Sequence, residues 1–289
     1  MQKVSSILFR LSAGCFLAAP AFAATIYNNL TPNNLMAVAS RPDTSASEIE
    51  AADDFFIGSQ FSVTSATFVG LIVPGVTGGP STISDLVAEI YRVFPQDSNT
   101  TRTPNVLTRA NSPSDVAFDS RDSIGGGLTF STTVLNPSFT ALNSVQAGGI
   151  HAFPNQTTGG NGPLTGQEIQ ITVTFLTPFN LPANHYFFIP QVALTNGAQF
   201  YWLSASRPIS GAGTTPFPAG VTDLQAWVRD AALDPDWSRV GTDIVGGTPA
   251  PTFNLAFALD GTATPEPGAI LLTMTGLSLL GLRRRRTGR

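Results

Sequence analysis

Hydrophobic and polar residues alternate along much of the chain with the period of a strand. In Glu168 to Leu176 (EIQITVTFL), Ile169, Ile171, Val173 and Phe175 fall on one face and Gln170, Thr172 and Thr174 on the other, the pattern of a half-buried strand. Phe253 to Leu259 repeats it, with Phe253, Leu255, Phe257 and Leu259 inward and the small Ala256 and Ala258 outward, and Leu128 to Val134 alternates likewise. Thr67 to Val73, Leu86 to Phe94, Tyr186 to Leu194 and Phe200 to Leu203 alternate less strictly and suit central strands. Pro190, inside one of them, marks an edge or a bulge, because proline donates no ladder bond. Leu224 to Asp230 fits a helix turn by propensity and a strand by the alternation of Leu224, Ala226 and Val228, and the strand is favoured.

Glycine- and proline-rich clusters separate these runs: Pro74 to Pro80, Ile124 to Gly127, Asn155 to Gly166 and Ser210 to Gly220. Short strands punctuated in this way predict an all-β fold, a jelly-roll-like antiparallel β-sandwich over residues 24–262. The span suits one large β domain, and no internal repeat is evident.

The two ends follow other patterns. Met1 to Ala23 has Lys3 and Arg10 near the front, an apolar middle and Ala21-Phe22-Ala23 as a small-x-small cleavage site, which predicts a secretory signal peptide. A lipoprotein signal at Cys15 fits less well: Leu11 stands one position too early and the apolar run continues past the cysteine. At the other end, residues 263–289 hold Pro265-Glu266-Pro267, a run from Gly268 to Leu282 whose only polar members are Thr273, Thr275 and Ser278, and the basic block Arg283, Arg284, Arg285 and Arg286. The prolines exclude a helix interior at Glu266. The run, as a helix, spans roughly 22 Å against a hydrocarbon core of ~30 Å, so it needs local thinning or snorkelling arginines to cross, with the arginines on the cytoplasmic side. A buried helix or an ordinary tail anchor are the competing readings.

Pro-Glu-Pro, a short apolar helix and a basic cluster at the chain end resemble the PEP-CTERM sorting signal of Gram-negative bacteria. The resemblance implies that an exosortase, an integral-membrane transpeptidase-like enzyme, recognises Pro265, Glu266 and Pro267. It also implies export through the inner membrane, transient anchoring by the C-terminal helix, and release to the cell surface or an exopolysaccharide matrix. A weaker resemblance links Ala51 to Phe55, Leu224 to Asp230 and Phe253 to Gly261 to exported β-sandwich bodies that carry this signal.

Removal of both ends changes the charge. Of the 15 Lys and Arg, seven lie in the ends and eight remain; of the 19 Asp and Glu, only Glu266 leaves, so the body keeps 18 and a net charge of −10 without a lysine. Such a body does not suit nucleic-acid binding, which rests on neutralising phosphates. The single cysteine, Cys15, departs with the signal peptide, so stability has to come from a packed core or a bound ion rather than a disulfide.

Catalytic signatures are sparse. His151 and His185 lack partners at metal spacing and read as surface or strand-end residues. There is no nucleophile elbow, the body has no lysine for a phosphate loop, and Gly125-Gly126-Gly127 opens a strand rather than a helix. Asp53, Asp54, Glu89, Glu168 and Asp230 are available for a two-carboxylate glycoside hydrolase, whose geometry no spacing reveals. Asp234-Pro235-Asp236-Trp237-Ser238 begins like a calcium loop, but Arg239 replaces the required glycine and Val245 the bidentate glutamate. A structural calcium held by Asp53 or Asp54 with Asp260 is the other option, and no cofactor beyond that is expected. Among the aromatics, Trp202 reads as core, while Trp237, in a loop of Asp and Pro, and Trp227 are candidates for stacking on sugar rings. The sequence therefore reads as an exported β-sandwich protein with a structural or carbohydrate-interacting role and no enzymatic activity, a polysaccharide hydrolase being the alternative.

Overall fold

The computed structural model of the chain describes residues 24–43, 47–75, 82–101, 110–206, 221–233 and 237–263. Its strands are β1 (Ala24–Asn28), β2 (Pro32–Ala39), β3 (Ile49–Ile57), β4 (Phe61–Val73), β5 (Ile83–Arg92), β6 (Asp119–Asp122), β7 (Leu128–Ala141), β8 (Asn143–Val145), β9 (Leu164–Leu181), β10 (Asn184–Leu194), β11 (Gln199–Ala205), β12 (Trp227–Asp230), β13 (Ser238–Arg239), β14 (Asn254–Leu255) and β15 (Phe257–Ala263). Among the described residues the helical pieces are single turns, and no helix is long and apolar enough to cross a membrane.

Two sheets share one core. The larger runs β1-β15-β4-β11-β2-β8, with β14 beside β11 and with β9 then β7 continuing from β4; the smaller runs β13-β12-β3-β10-β5-β6. The pairings are antiparallel apart from β2 with β8. β9 behaves as its alternation predicts: Ile169, Ile171, Val173 and Phe175 are buried, and the residues between them face outward. Phe253 to Leu259 proves to be two strands. Its chain steps from β11 to β4 at Ala256, whose N–H donates to the Leu203 carbonyl (2.8 Å) and whose own carbonyl accepts from Val69 N (3.1 Å) and Trp202 Nε1 (2.9 Å). The indole of Trp202 is thereby satisfied inside the core, as a buried N–H must be. Phe257 then stacks on Tyr27 (centroids 4.2 Å apart) and Phe188 (5.4 Å) and meets Trp202 edge-on (5.6 Å), so one ring touches both sheets.

Two expectations change. Leu128 to Val134 is not half-buried: among the described residues β7 pairs only with β9, and although Leu128 is buried, Phe130 is 37 % exposed and Val134 and Leu135 lie open too. Alternation describes two faces, and at a sheet edge neither need be covered. Leu224 to Asp230 forms a strand only from Trp227 onward.

β3 alternates strictly despite its charges. Ile49, Ala51 and Phe55 belong to the core between the sheets, while Ala52 joins Tyr91, Phe187, Ile189, Leu224, Trp227 and Trp237 in a second apolar cluster on the outer face of the smaller sheet. β10 pairs with β3 only from Asn184 to Phe188. Beyond that the Ser40 side chain occupies the seam, donating to the Pro190 carbonyl (2.6 Å) and accepting from Ala51 N (3.3 Å). Pro190 sits where β10 has left β3, so its missing N–H faces no ladder partner there.

Phe257→Ala removes the ring shared by both sheets and should lower stability by about 3–5 kcal/mol. The measurement is the urea midpoint at unchanged slope, with Phe130→Ala, at the open edge, changing it by less than about 0.5 kcal/mol.

Candidate functional site

The outer face of the smaller sheet gathers the polar chemistry of the body. Register sets it out: Arg229 on β12 lies opposite Glu50 on β3, and Ile189 and Phe187 on β10 lie opposite Glu89 and Tyr91 on β5. Gln191 follows Ile189 on the same face, and Glu48 stands just ahead of β3. Oxygens of Glu48, Glu50 and Glu89 come within 4.8 Å of one another.

Glu50 is wholly buried and both its oxygens are engaged. Arg229 Nε donates to Oε2 (2.5 Å) and the Tyr91 hydroxyl to Oε1 (2.7 Å). Arg229 also donates to the Asp115 carbonyl (3.2 Å), and its guanidinium lies 4.6 Å from the Trp237 ring centre. Gln191 donates from Nε2 to Glu48 Oε1 (2.8 Å). Two acceptors of the cluster, Glu89 Oε2 and Gln191 Oε1, are buried without a hydrogen-bond partner. Burial, then the charges of Glu50 and Glu48, push the Glu89 carboxyl up to about 8. Burial and Glu50 also raise Glu48, and burial with the nearby carboxylates raises the Tyr91 phenol.

Of the carboxylates singled out in the sequence, only Glu89 lies in this cluster. Asp53 faces the core and accepts from Leu255 N (2.8 Å), while Asp54 bonds His185 Nε2 (2.6 Å) and Leu224 N (3.1 Å). Asp260 takes the Thr25 hydroxyl (2.5 Å), Asp230 caps Ala232 N (2.9 Å), and Glu168 lies apart on β9. Asp53, Asp54 and Asp260 are thus held by different partners, and the one metal-spaced group of three or more ligands among the described residues does not include them. Asp234 and Asp236 lie outside the described residues, and Asp243 pairs with Arg239 (2.7 Å) in its own turn. Glu48 and Glu50 went unnoticed in the sequence, although a Glu-x-Glu spacing puts two carboxylates on one strand face.

The stacking residues are also corrected. Trp237 is 2 % exposed and Trp227 1 %. Trp237 donates to the Ser114 carbonyl (3.1 Å) under the Arg229 guanidinium, and Trp227 donates to Leu224 O (3.0 Å) with Arg239 5.8 Å from its ring centre. A polar loop composition marked Trp237 as open, yet arginine lies over the indole face that a sugar would need. Trp202 is core, as expected. The sorting residues Pro265, Glu266, Pro267 and Arg283, Arg284, Arg285 and Arg286, with Ala21 and Ala23 of the leader, lie outside the described residues. No protein-family model, curated protein or solved structure matches the chain.

Arg229→Ala leaves Glu50 buried without its ion pair and should cost about 3–5 kcal/mol, part of which Glu50→Gln restores in the double variant; urea unfolding of the four proteins checks this. Burial pushes Asp54 up from 3.8 to about 6 against the hydrogen bond from His185. A raised carboxyl binds its proton more tightly folded than unfolded, so its stabilisation is full below about pH 4 and is lost as pH rises through about 6. Asp54→Asn should abolish a loss on the order of 3 kcal/mol, read as the difference in unfolding free energy between about pH 4 and about pH 7.

Proposed function

We propose that this chain is an exported, exosortase-processed protein of the cell surface or extracellular matrix. Its body, a jelly-roll-like sandwich, has a structural or carbohydrate-interacting role in an exopolysaccharide or biofilm matrix. The observation that carries the reading is the order of parts at the C-terminus: Pro265-Glu266-Pro267, the uncharged run Gly268 to Leu282, then Arg283 to Arg286. Signal peptidase removes Met1 to Ala23, and the exosortase cuts at Pro-Glu-Pro, so the inner membrane holds the chain only until processing. The acidic, lysine-free body suits that destination better than a nucleic-acid partner. With Trp227 and Trp237 covered, contact with carbohydrate falls to the exposed polar surface.

A second reading, a secreted polysaccharide hydrolase, draws on the outer-face cluster. Glu89 is protonated near neutral pH, as a general acid has to be, and other carboxylates stand within 4.8 Å. Arg229 and Tyr91 occupy Glu50, which leaves Glu48 as its partner.

Glu266→Ala should keep the apolar tail and stay in the membrane fraction, while the wild-type chain loses it; intact mass and fractionation read this, and a variant processed like the wild type sinks the sorting proposal. Incubation with the producer's own polysaccharide separates the two roles of the body. Retention without shortening supports matrix binding, and shortened product supports the hydrolase.

A further inference from the structure

We propose that Glu48, Glu89 and Gln191 form a calcium site on the outer face of the smaller sheet. The argument begins with charge. Three carboxylates converge within 4.8 Å, and Arg229 neutralises one of them, Glu50, through an ion pair at 2.5 Å. Among the described residues neither Glu48 nor Glu89 makes an ion pair, so a divalent cation that displaces the Glu89 proton is balanced by these two carboxylates.

The second line is independent of charge. Gln191 is 0 % exposed, and with Nε2 committed to Glu48 its Oε1 is left without a partner, as is the buried Oε2 of Glu89. An orphaned buried acceptor costs about 1–3 kcal/mol, and native proteins rarely keep two in one place. Both orphans are oxygens at a carboxylate cluster, and one cation answers both at once. Carboxylate and amide oxygens are hard ligands, which selects calcium or magnesium over softer metals. The set comes from two strands and the residue ahead of a third, and calcium accepts oxygens from such separate segments in flexible geometry, where magnesium demands a near-ideal octahedron.

The location explains what the ion does. Gln191 lies where β10 has parted from β3 and Ser40 bridges the seam, through its hydroxyl and through its carbonyl, which accepts from Val192 N. An ion held by Glu48 ahead of β3, Glu89 on β5 and Gln191 on β10 closes that seam from the outside. It ties together segments 143 residues apart in sequence, the service a disulfide renders in other exported domains. The inference rests on the body alone and does not depend on how the chain is sorted.

The experiment uses the full-length chain, stripped with chelator and titrated with calcium, and with terbium as the luminescent stand-in. Tyr91 reaches Glu50 through its hydroxyl and lies 5.8 Å from the Trp237 ring, so bound terbium is excited through these aromatics. The expected result is sensitised terbium emission that calcium displaces. Calcium at a hundredfold excess over its Kd should raise Tm by roughly 5 °C or more. Glu89→Gln should lose both responses while still unfolding cooperatively, since the amide keeps the neutral form that burial favours. Glu48→Gln, at the half-exposed rim, carries the same test should Glu89→Gln fail to fold. A wild-type Tm unmoved by calcium, a response to magnesium equal to that to calcium, or a response undiminished in both variants overturns the proposal.

Discussion

Strand β3 buries three carboxylates, and each has to be answered by a distant part of the chain. Glu50, Asp53 and Asp54 are fully buried on a strand that is otherwise Ile, Ala and Phe. Taking an unpaired carboxylate out of water costs several kcal/mol, so a fold that leaves any of them unanswered is not competitive. Arg229 of β12 and Tyr91 of β5 answer Glu50 on the outer face of the sheet that these strands share with β3. Leu255 N, in β14 of the opposite sheet, answers one oxygen of Asp53 across the core, and burial raises the pKa of that carboxyl well above the usual range. His185 and Leu224 N answer Asp54 and hold the start of β10 and the segment before β12. The charges contribute little net stability as pairs, but they determine which strands lie beside β3 and at what height.

The rest of the fold is arranged about this strand. The inner face of β3 supplies Phe55 to an aromatic core with Tyr27, Phe188, Trp202 and Phe257, and its outer face supplies the acidic cluster. One strand therefore belongs to both the packing and the chemistry. The arginine over Trp237 joins the two, shielding an indole while it neutralises Glu50.

What the sequence reveals follows from range. β9 is legible because one of its faces packs on the core and the other faces outward, and a local period of two suffices to say so. β7 shows the same period and differs, since nothing local tells an inner strand from an edge. β3 is hidden for the opposite reason: read alone, Glu-Ala-Ala-Asp-Asp looks solvated, and, Tyr91 apart, the groups that make its burial tolerable lie beyond residue 184. Trp237 is misread likewise, through neighbours in sequence rather than in space. The Glu48, Glu50 and Glu89 cluster combines a visible spacing on one strand with a partner from another, and only strand register brings them together.

Asp53 and the amide that satisfies it are 202 residues apart. Synthesis proceeds from the N-terminus, so β3 emerges long before Leu255, and β1 waits still longer for β15, whose Gly261 pairs with Ala24. Contacts of this separation close slowly, because the loop entropy comes due before any packing is gained. The sandwich is consequently completed by its last strands, and until they arrive the chain remains an open, acidic polypeptide. Under the proposed export, in which the chain is threaded through a membrane before it folds, that delay keeps it in the state the passage requires.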